Sequence, residues 1–326
     1  MVSSPYAWQS SVVVEGQRLG GADPAGALGA QLRGGAGLEA PYEVEEEAEL
    51  AWRLRRDARL LAEAQRTLEE DHPKAEELLQ VAGAIVDSVY EAVREGGAFP
   101  LPAERPRVAE MPPHRWGFAQ LYAPGPLETR PFEPRFYVDP VDPVWVRDKD
   151  RKRVSEHLRY LNRSQLTLTV LHEIAPGHFT QQTQHRAALG ELSATRQRAR
   201  SAALIEGWPH YAVDLMLQTQ SSQLPERDRL LFLLWRGQLL HLGRLVVALR
   251  LHGVAGPPGA GGFAAGVARL EDAARYLMDE CLMEDYAAHR EAERATYDPF
   301  FLLPALGRLQ LAKLRADYLE ERGEGA

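Results

Sequence analysis

Apolar positions recur at helical spacing over most of the chain. From Glu43 to about Gln80, Leu50, Leu54, Leu60, Leu61 and Leu68 stand among Arg and Glu residues, a pattern that predicts long charged helices interrupted at Asp71-His72-Pro73. A further helix is expected from Val81 to Glu95, ended by Gly96-Gly97. Pro100, Pro102, Pro106, Pro112 and Pro113 then predict an extended segment, because each proline lacks a donor N–H and disfavours helix just before it. Between about Arg115 and Val146, Phe118, Leu121, Tyr122, Phe136, Tyr137 and Val138 flank a Pro124-Gly125-Pro126 turn. Short strands are expected there, as a small sheet or hairpin and the only β element. Beyond Arg151 the pattern is helical to the C-terminus, broken at Pro176-Gly177, around Gln223-Leu224-Pro225, from Gly253 to Gly262 and at Asp298-Pro299. Residues 1–42, rich in Gly and Ala from position 18, read as a poorly ordered arm, and 43–326 as a single, mainly α, multi-helix domain.

Composition narrows the partners. The chain has 326 residues, 45% of them hydrophobic, enough for a substantial core, and a formal charge of -8. That balance argues against nucleic acid and anionic lipid and favours a peptide or small-molecule partner. The single cysteine, Cys281, excludes an intrachain disulfide framework and a thiolate metal cluster within one chain, so any metal must be held by His and carboxylates. Cys281 stands beside Leu282 and Met283 in a helical apolar pattern that fits a buried structural residue. No signal-like N-terminus and no unbroken apolar run of about 18 residues is read, so a cytoplasmic location without a membrane partner is expected.

Six of the ten histidines, His172, His178, His185, His210, His241 and His252, fall within one quarter of the chain. The sharpest cluster is His172-Glu173-Ile174-Ala175-Pro176-Gly177-His178, preceded by the apolar, β-branched run Leu166 to Val170. In the zinc-peptidase pattern H-E-x-x-H the two His lie one turn apart. Here they are six residues apart, which on an ideal helix separates them by about 120° and ~9 Å along the axis. Both could not then bind one ion. Pro176 and Gly177 change that expectation, since proline disrupts the turn before it and glycine permits a sharp return of the backbone. On the residues alone, a metal site and a hydrogen-bonded core His–Glu network both fit.

The motif His172-Glu173, Pro176-Gly177-His178 and Gln181 resembles the signature H-E-x-x-P-G-H-H-x-Q of a bacterial family catalogued as domain of unknown function 885. Further matches follow in order: Glu206-Gly207-Trp208 with Tyr211, Arg244-Leu245-Val246-Val247 with His252, and Gly307-Arg308 leading to Leu314-Arg315. Upstream, Asp71-His72-Pro73, Pro112-Pro113, Tyr122 to Pro126 and Phe136-Tyr137 agree as well, so the resemblance covers roughly residues 45 to 320. It implies a mostly helical fold like that of zinc metallopeptidases. It further implies one zinc per chain held by His172, His178 and Glu206, with the fourth position open to water and Glu173 as general base. His252 and Arg244 are implied contacts to substrate or ligands, Arg244 as a bidentate clamp on a substrate carboxylate or as the partner of a structural carboxylate.

The chain departs from the family pattern at named places. Phe179 stands for the second His of the pair and Ala248 for the Asp after R-L-V-V. Phe300 to Leu306 lacks the family's Tyr-Lys pair, leaving Tyr297 or Tyr211 to supply an oxyanion donor. Much of the family's N-terminal portion is also missing, which leaves room for a partner subunit or a homo-oligomer. The expected activity is hydrolysis of peptide bonds, with a small non-peptide amide as an alternative substrate. The rival reading is a catalytically impaired metal-binding relative that acts as a binding or assembly partner.

Overall fold

A computed structural model describes residues 58–115, 117–125, 128, 132–188, 201–219, 224, 226–254 and 269–322. The expected arm at 1–42 lies outside the described residues. Helix α1 (Ala58–Glu70) stops at the Asp71-His72-Pro73 turn, as the sequence predicts. The turn is also an anchor. Asp71 Oδ2 accepts from Arg229 Nη1 at 2.9 Å, and its carbonyl accepts from Arg163 N at 3.0 Å, so one residue ties down the starts of two later helices. After a short 3-10 turn, helix α2 (Leu78–Gly96) buries Leu78, Ala82, Val86, Val89 and Val93, and ends as Gly97 takes φ +68° and donates to Val93 O.

The β element is larger than expected. β2 (Ala119–Tyr122) and β3 (Arg135–Val138) form the predicted antiparallel pair, and β1 (Arg107–Glu110), from the proline-rich stretch, pairs in parallel with β3 to give the order β1-β3-β2. Arg107 to Glu110 lie between Pro106 and Pro112, so all four residues keep the amide donors a ladder needs. Helices α3 (Pro143–Arg147) and α4 (Arg151–Tyr160) follow, their N-termini capped by the Asp142 and Asp150 side chains.

Helix α5 (Arg163–Glu173) begins at Asn162, whose side chain accepts from Gln165 N at 2.9 Å. It runs through the core with Leu166, Leu168, Val170 and Leu171 all buried. Around it lie α6 (His178–Ala188), α7 (Ala202–Thr219), α8 (Arg227–Leu251), α9 (Leu270–Cys281), α10 (Asp285–Arg294) and α11 (Leu303–Arg322). Helix α8 spans two apolar clusters. Leu230 to Leu239 pack with α2, α5 and the sheet, whereas Leu240, Val247 and Ala248 pack with α9 and α10. By length and mean hydropathy α8 could cross a membrane, although Arg236, Gln238, His241 and Arg244 interrupt its apolar run as the sequence reading has it. Most of it is buried inside the fold, including Arg244 and His241, as befits a central helix. Cys281 is buried against α8, as its apolar setting predicts, and a Cβ at Gly243 would lie 2.1 Å from its Sγ.

Two glycines set a close helix contact. A Cβ on Gly307 of α11 would lie 1.8 Å from Ala203 O and 2.8 Å from Gly207 Cα, so α7 and α11 touch backbone to backbone. Gly307→Ala should therefore destabilise the fold by roughly 1–3 kcal/mol in urea unfolding, because backbone cannot yield as a side chain can. Gly83→Ala, inside α2 with nothing within 4 Å of the new Cβ, should instead stabilise it by about 0.5–1 kcal/mol.

Candidate active site

The helix carrying His172 ends one residue later, and a new helix begins at His178. The four residues between them fold back tightly. Ile174 N and Ala175 N both donate to Val170 O, the Ala175–Pro176 peptide is cis, and Gly177 N donates to Leu171 O at 3.0 Å. This return brings Gly177 onto the end of α5, where an added Cβ would stand 1.7 Å from His172 O. Only glycine fits there. The broken helix that the His172 to His178 spacing requires is therefore present. The two rings lie 5.0 Å apart, centroid to centroid, at 84°.

Neighbouring helices hold this break. Trp208, two residues after Glu206, donates from Nε1 to Pro176 O at 2.9 Å, and Gln181 Nε2 donates to Leu204 O at 2.9 Å. The Glu-Gly-Trp motif thus joins α7 to the turn. Gly207 meets Gly307, and Trp208 hydrogen-bonds the turn between the two histidines.

The histidines continue inward as a row. His172 lies 4.7 Å from His210 on α7, and His210 lies 4.5 Å from His241 on α8. Burial holds His172, His210 and His241 well below the ordinary imidazole pKa. Neighbouring imidazoles lower all three further, and the Arg244 and Arg308 guanidiniums do the same for His210 and His241. Burial also lowers His178, to about 4, so all four rings are neutral at pH 7 and have lone pairs to offer.

Glu173 has the opposite shift. Burial raises its carboxyl to about 7, the Leu121 N–H opposes that by donating to Oε2 at 3.4 Å, and the nearby Glu206 charge adds to it. Glu206 is itself raised by burial. Glu173 on α5 and Glu206 on α7 are thus electrostatic neighbours, and His172 and His178 face each other across the break.

Other expected residues are placed elsewhere. Arg244 is buried, its Nε donates to Glu291 Oε2 at 2.7 Å, and its guanidinium lies over the Phe301 ring, so it serves a structural carboxylate at the inner end of the row. Arg294 pairs with Asp298 and Glu291 in the same cluster. His252 caps α8, Nδ1 against Ala248 O at 2.8 Å, and is exposed. Tyr297 is 71% exposed, whereas Tyr211 packs against Trp208 with its hydroxyl pKa raised by burial. Phe179 is fully buried in the larger apolar cluster. For His210 the sequence leaves open a contact to substrate or ligands or a structural bond, and for His241 a solvated or a core face; both lie in the buried row. His210 and His172 come from separate helices, and no spacing along one helix could have signalled their contact. The one available signal was the crowding of histidines between positions 172 and 252.

Among the described residues, no three His, Cys, Asp or Glu side chains already stand as a metal-holding group. The donor chemistry nonetheless suits zinc. Bonds of about 2.0–2.1 Å to one tetrahedral ion separate two imidazole centroids by about 5 Å, and His172 and His178 stand 5.0 Å apart. Both are neutral, as ligation requires.

These shifts have opposite effects on stability. The lowered histidines leave the unfolded chain holding more protons below pH 6.5, so they stabilise the fold above that pH, and the stabilisation is lost as pH falls toward about 4. The raised Glu173 binds its proton more tightly when folded, so its contribution is present below about 4.5 and is lost as pH rises through about 7. For metal-free protein, urea unfolding from pH 7 to pH 4 should show declining stability, and Glu173→Gln should steepen the decline by removing the opposing contribution.

The sequence matches the family described as "Bacterial protein of unknown function (DUF885)" over residues 39–326. A comparison with curated proteins finds no match. Among solved structures, a candidate lipoprotein of unknown function from Shewanella oneidensis superposes with a TM-score of 0.63 at 17% identity, over 92% of this chain and 48% of that one. A candidate lipoprotein from Colwellia psychrerythraea superposes with a TM-score of 0.61 at 18% identity, over 86% of this chain and 46% of that one. The chain thus spans about half the length of these structures, which share its fold. With a family match over nearly nine-tenths of its length, the chain belongs to the DUF885 family of bacterial proteins.

Proposed function

We propose that this protein is a zinc-dependent peptidase, with His172, His178 and Glu206 as metal ligands and Glu173 as general base. The observation that carries the reading is the break at Pro176-Gly177, which sets two neutral imidazoles 5.0 Å apart beside a carboxyl whose pKa is raised to about 7. When bound, zinc supplies Lewis acidity, polarising a carbonyl and acidifying water. Glu173, whose carboxyl burial makes more basic, takes the proton of the attacking water and returns it to the departing amine. The Leu121 N–H lies 3.4 Å from Glu173 Oε2, a long contact that leaves the carboxylate able to turn toward the water. His210, edge-on to His172, fixes that ring's plane, and Trp208 fixes the turn that positions His178. Arg244 contributes through the Glu291 cluster behind the row, and His252 by ending α8. The lipoprotein descriptions of the two solved structures favour an envelope location for this chain, as the alternative to the cytoplasmic one expected from sequence.

Elemental mass spectrometry of purified protein should find about one zinc per chain, and markedly less in His178→Ala and Glu206→Ala as purified. Glu173→Gln should keep the metal and lose roughly 10²- to 10⁴-fold in hydrolysis of capped short peptides. Absence of zinc after reconstitution would make the cluster a structural network. Zinc without hydrolysis would indicate a metal-binding relative that serves as a binding or assembly partner.

A further inference from the structure

A cavity of about 210 Å³ lies at the seam between the two apolar clusters. Leu61 and Leu239, from the larger cluster, form part of its wall, and Cys281 and Met283, from the smaller one, form another part. None of its described wall residues belongs to the candidate active site or to the histidine row. The volume exceeds the ~150 Å³ in which an apolar cavity takes up benzene, and falls below the ~300 Å³ at which drug-sized pockets begin. A short apolar chain is the size of ligand that fits.

This apolar wall also carries a cation. Arg236 of α8 lines the cavity, and Gln65 of α1 accepts a hydrogen bond from its Nη1. Gln65 is buried, and its Nε2 in turn donates to Glu69 Oε1 at 2.8 Å, which fixes the amide and, through it, the guanidinium. The Glu69 charge offsets the guanidinium only in part, because burial is the larger effect and holds Arg236 below the ordinary arginine pKa. A guanidinium set into an apolar wall favours an anion beside it, and its planar fork matches the two oxygens of a carboxylate. The acid in the wall, Glu284, precedes α10 rather than standing on α8, so the two charges belong to separate segments. We infer that this cavity binds a short- to medium-chain fatty acid, with its carboxylate on Arg236 and its alkyl chain against Leu61, Leu239, Met278 and Met283. Such a ligand touches α1, α8 and the end of α9 at once. It therefore joins the two apolar clusters and stabilises the fold by mass action.

The test uses the full-length protein, with octanoate as the probe and octanol and octylamine as chain-matched controls. Calorimetric titration should show octanoate bound at least about tenfold more tightly than either control, the increment that a charge-assisted bidentate pair supplies. Arg236→Gln should bring octanoate down to the affinity of octanol and leave octanol unchanged. With isotope-labelled methionine methyls, octanoate should shift the signals of Met278 and Met283, which line the cavity, and leave that of Met216, buried outside its wall, in place. Ala62→Phe puts a ring into the cavity and should abolish binding of all three compounds. Where circular dichroism shows that variant unfolded, Arg236→Gln and the methyl shifts decide. Octanoate bound no more tightly than octanol, or octylamine preferred to both through Glu284, would overturn the inference. So would unmoved Met278 and Met283 signals, octanoate affinity unchanged in Arg236→Gln, or no binding at all.

Discussion

The candidate site depends on residue 177 having no side chain. Six residues separate His172 from His178, and a continuous helix would point them in different directions. The chain instead ends α5 at Glu173 and folds its backbone so closely onto the His172 carbonyl that a single added carbon would overlap it, at 1.7 Å. The two rings at 5.0 Å and the new direction of α6 follow from that contact.

The surrounding helices hold this break in place. Backbone contact between Gly207 and Gly307 sets α7 against α11, which positions Trp208 to hydrogen-bond Pro176 O and His210 to meet His172. Helix α8 adds His241 and Arg244 behind them, joined to α10 through Glu291. Asp71, far away in sequence, ties the starts of α5 and α8 together. Burial, with the neighbouring guanidiniums, keeps the imidazoles of the row neutral.

Much of the arrangement was legible in the residues because it is local. The apolar spacing marked α2, and Asp71-His72-Pro73 and Pro176-Gly177 marked real helix ends. The mismatch between a six-residue spacing and a helical period was itself enough to require the break. Contacts between distant segments were harder to read. Strand β1 was hidden in a proline-rich run because its partner β3 lies beyond a turn and another strand. The Glu-Gly-Trp and Gly-Arg motifs could be noticed as matches, but their meaning as a helix crossing needed both glycines in one place. Arg244 looked equally suited to a substrate and to a structural carboxylate, and the position of Glu291 decided between them.

The central claim is that the break gathers two imidazoles onto one ion. X-ray absorption at the zinc edge of reconstituted protein tests it directly. The account predicts a first shell of nitrogen and oxygen at about 2.0–2.2 Å, with outer-shell scattering from two imidazoles that falls to one in His178→Ala. A shell of oxygen alone, or imidazole scattering that His178→Ala leaves unchanged, would contradict it.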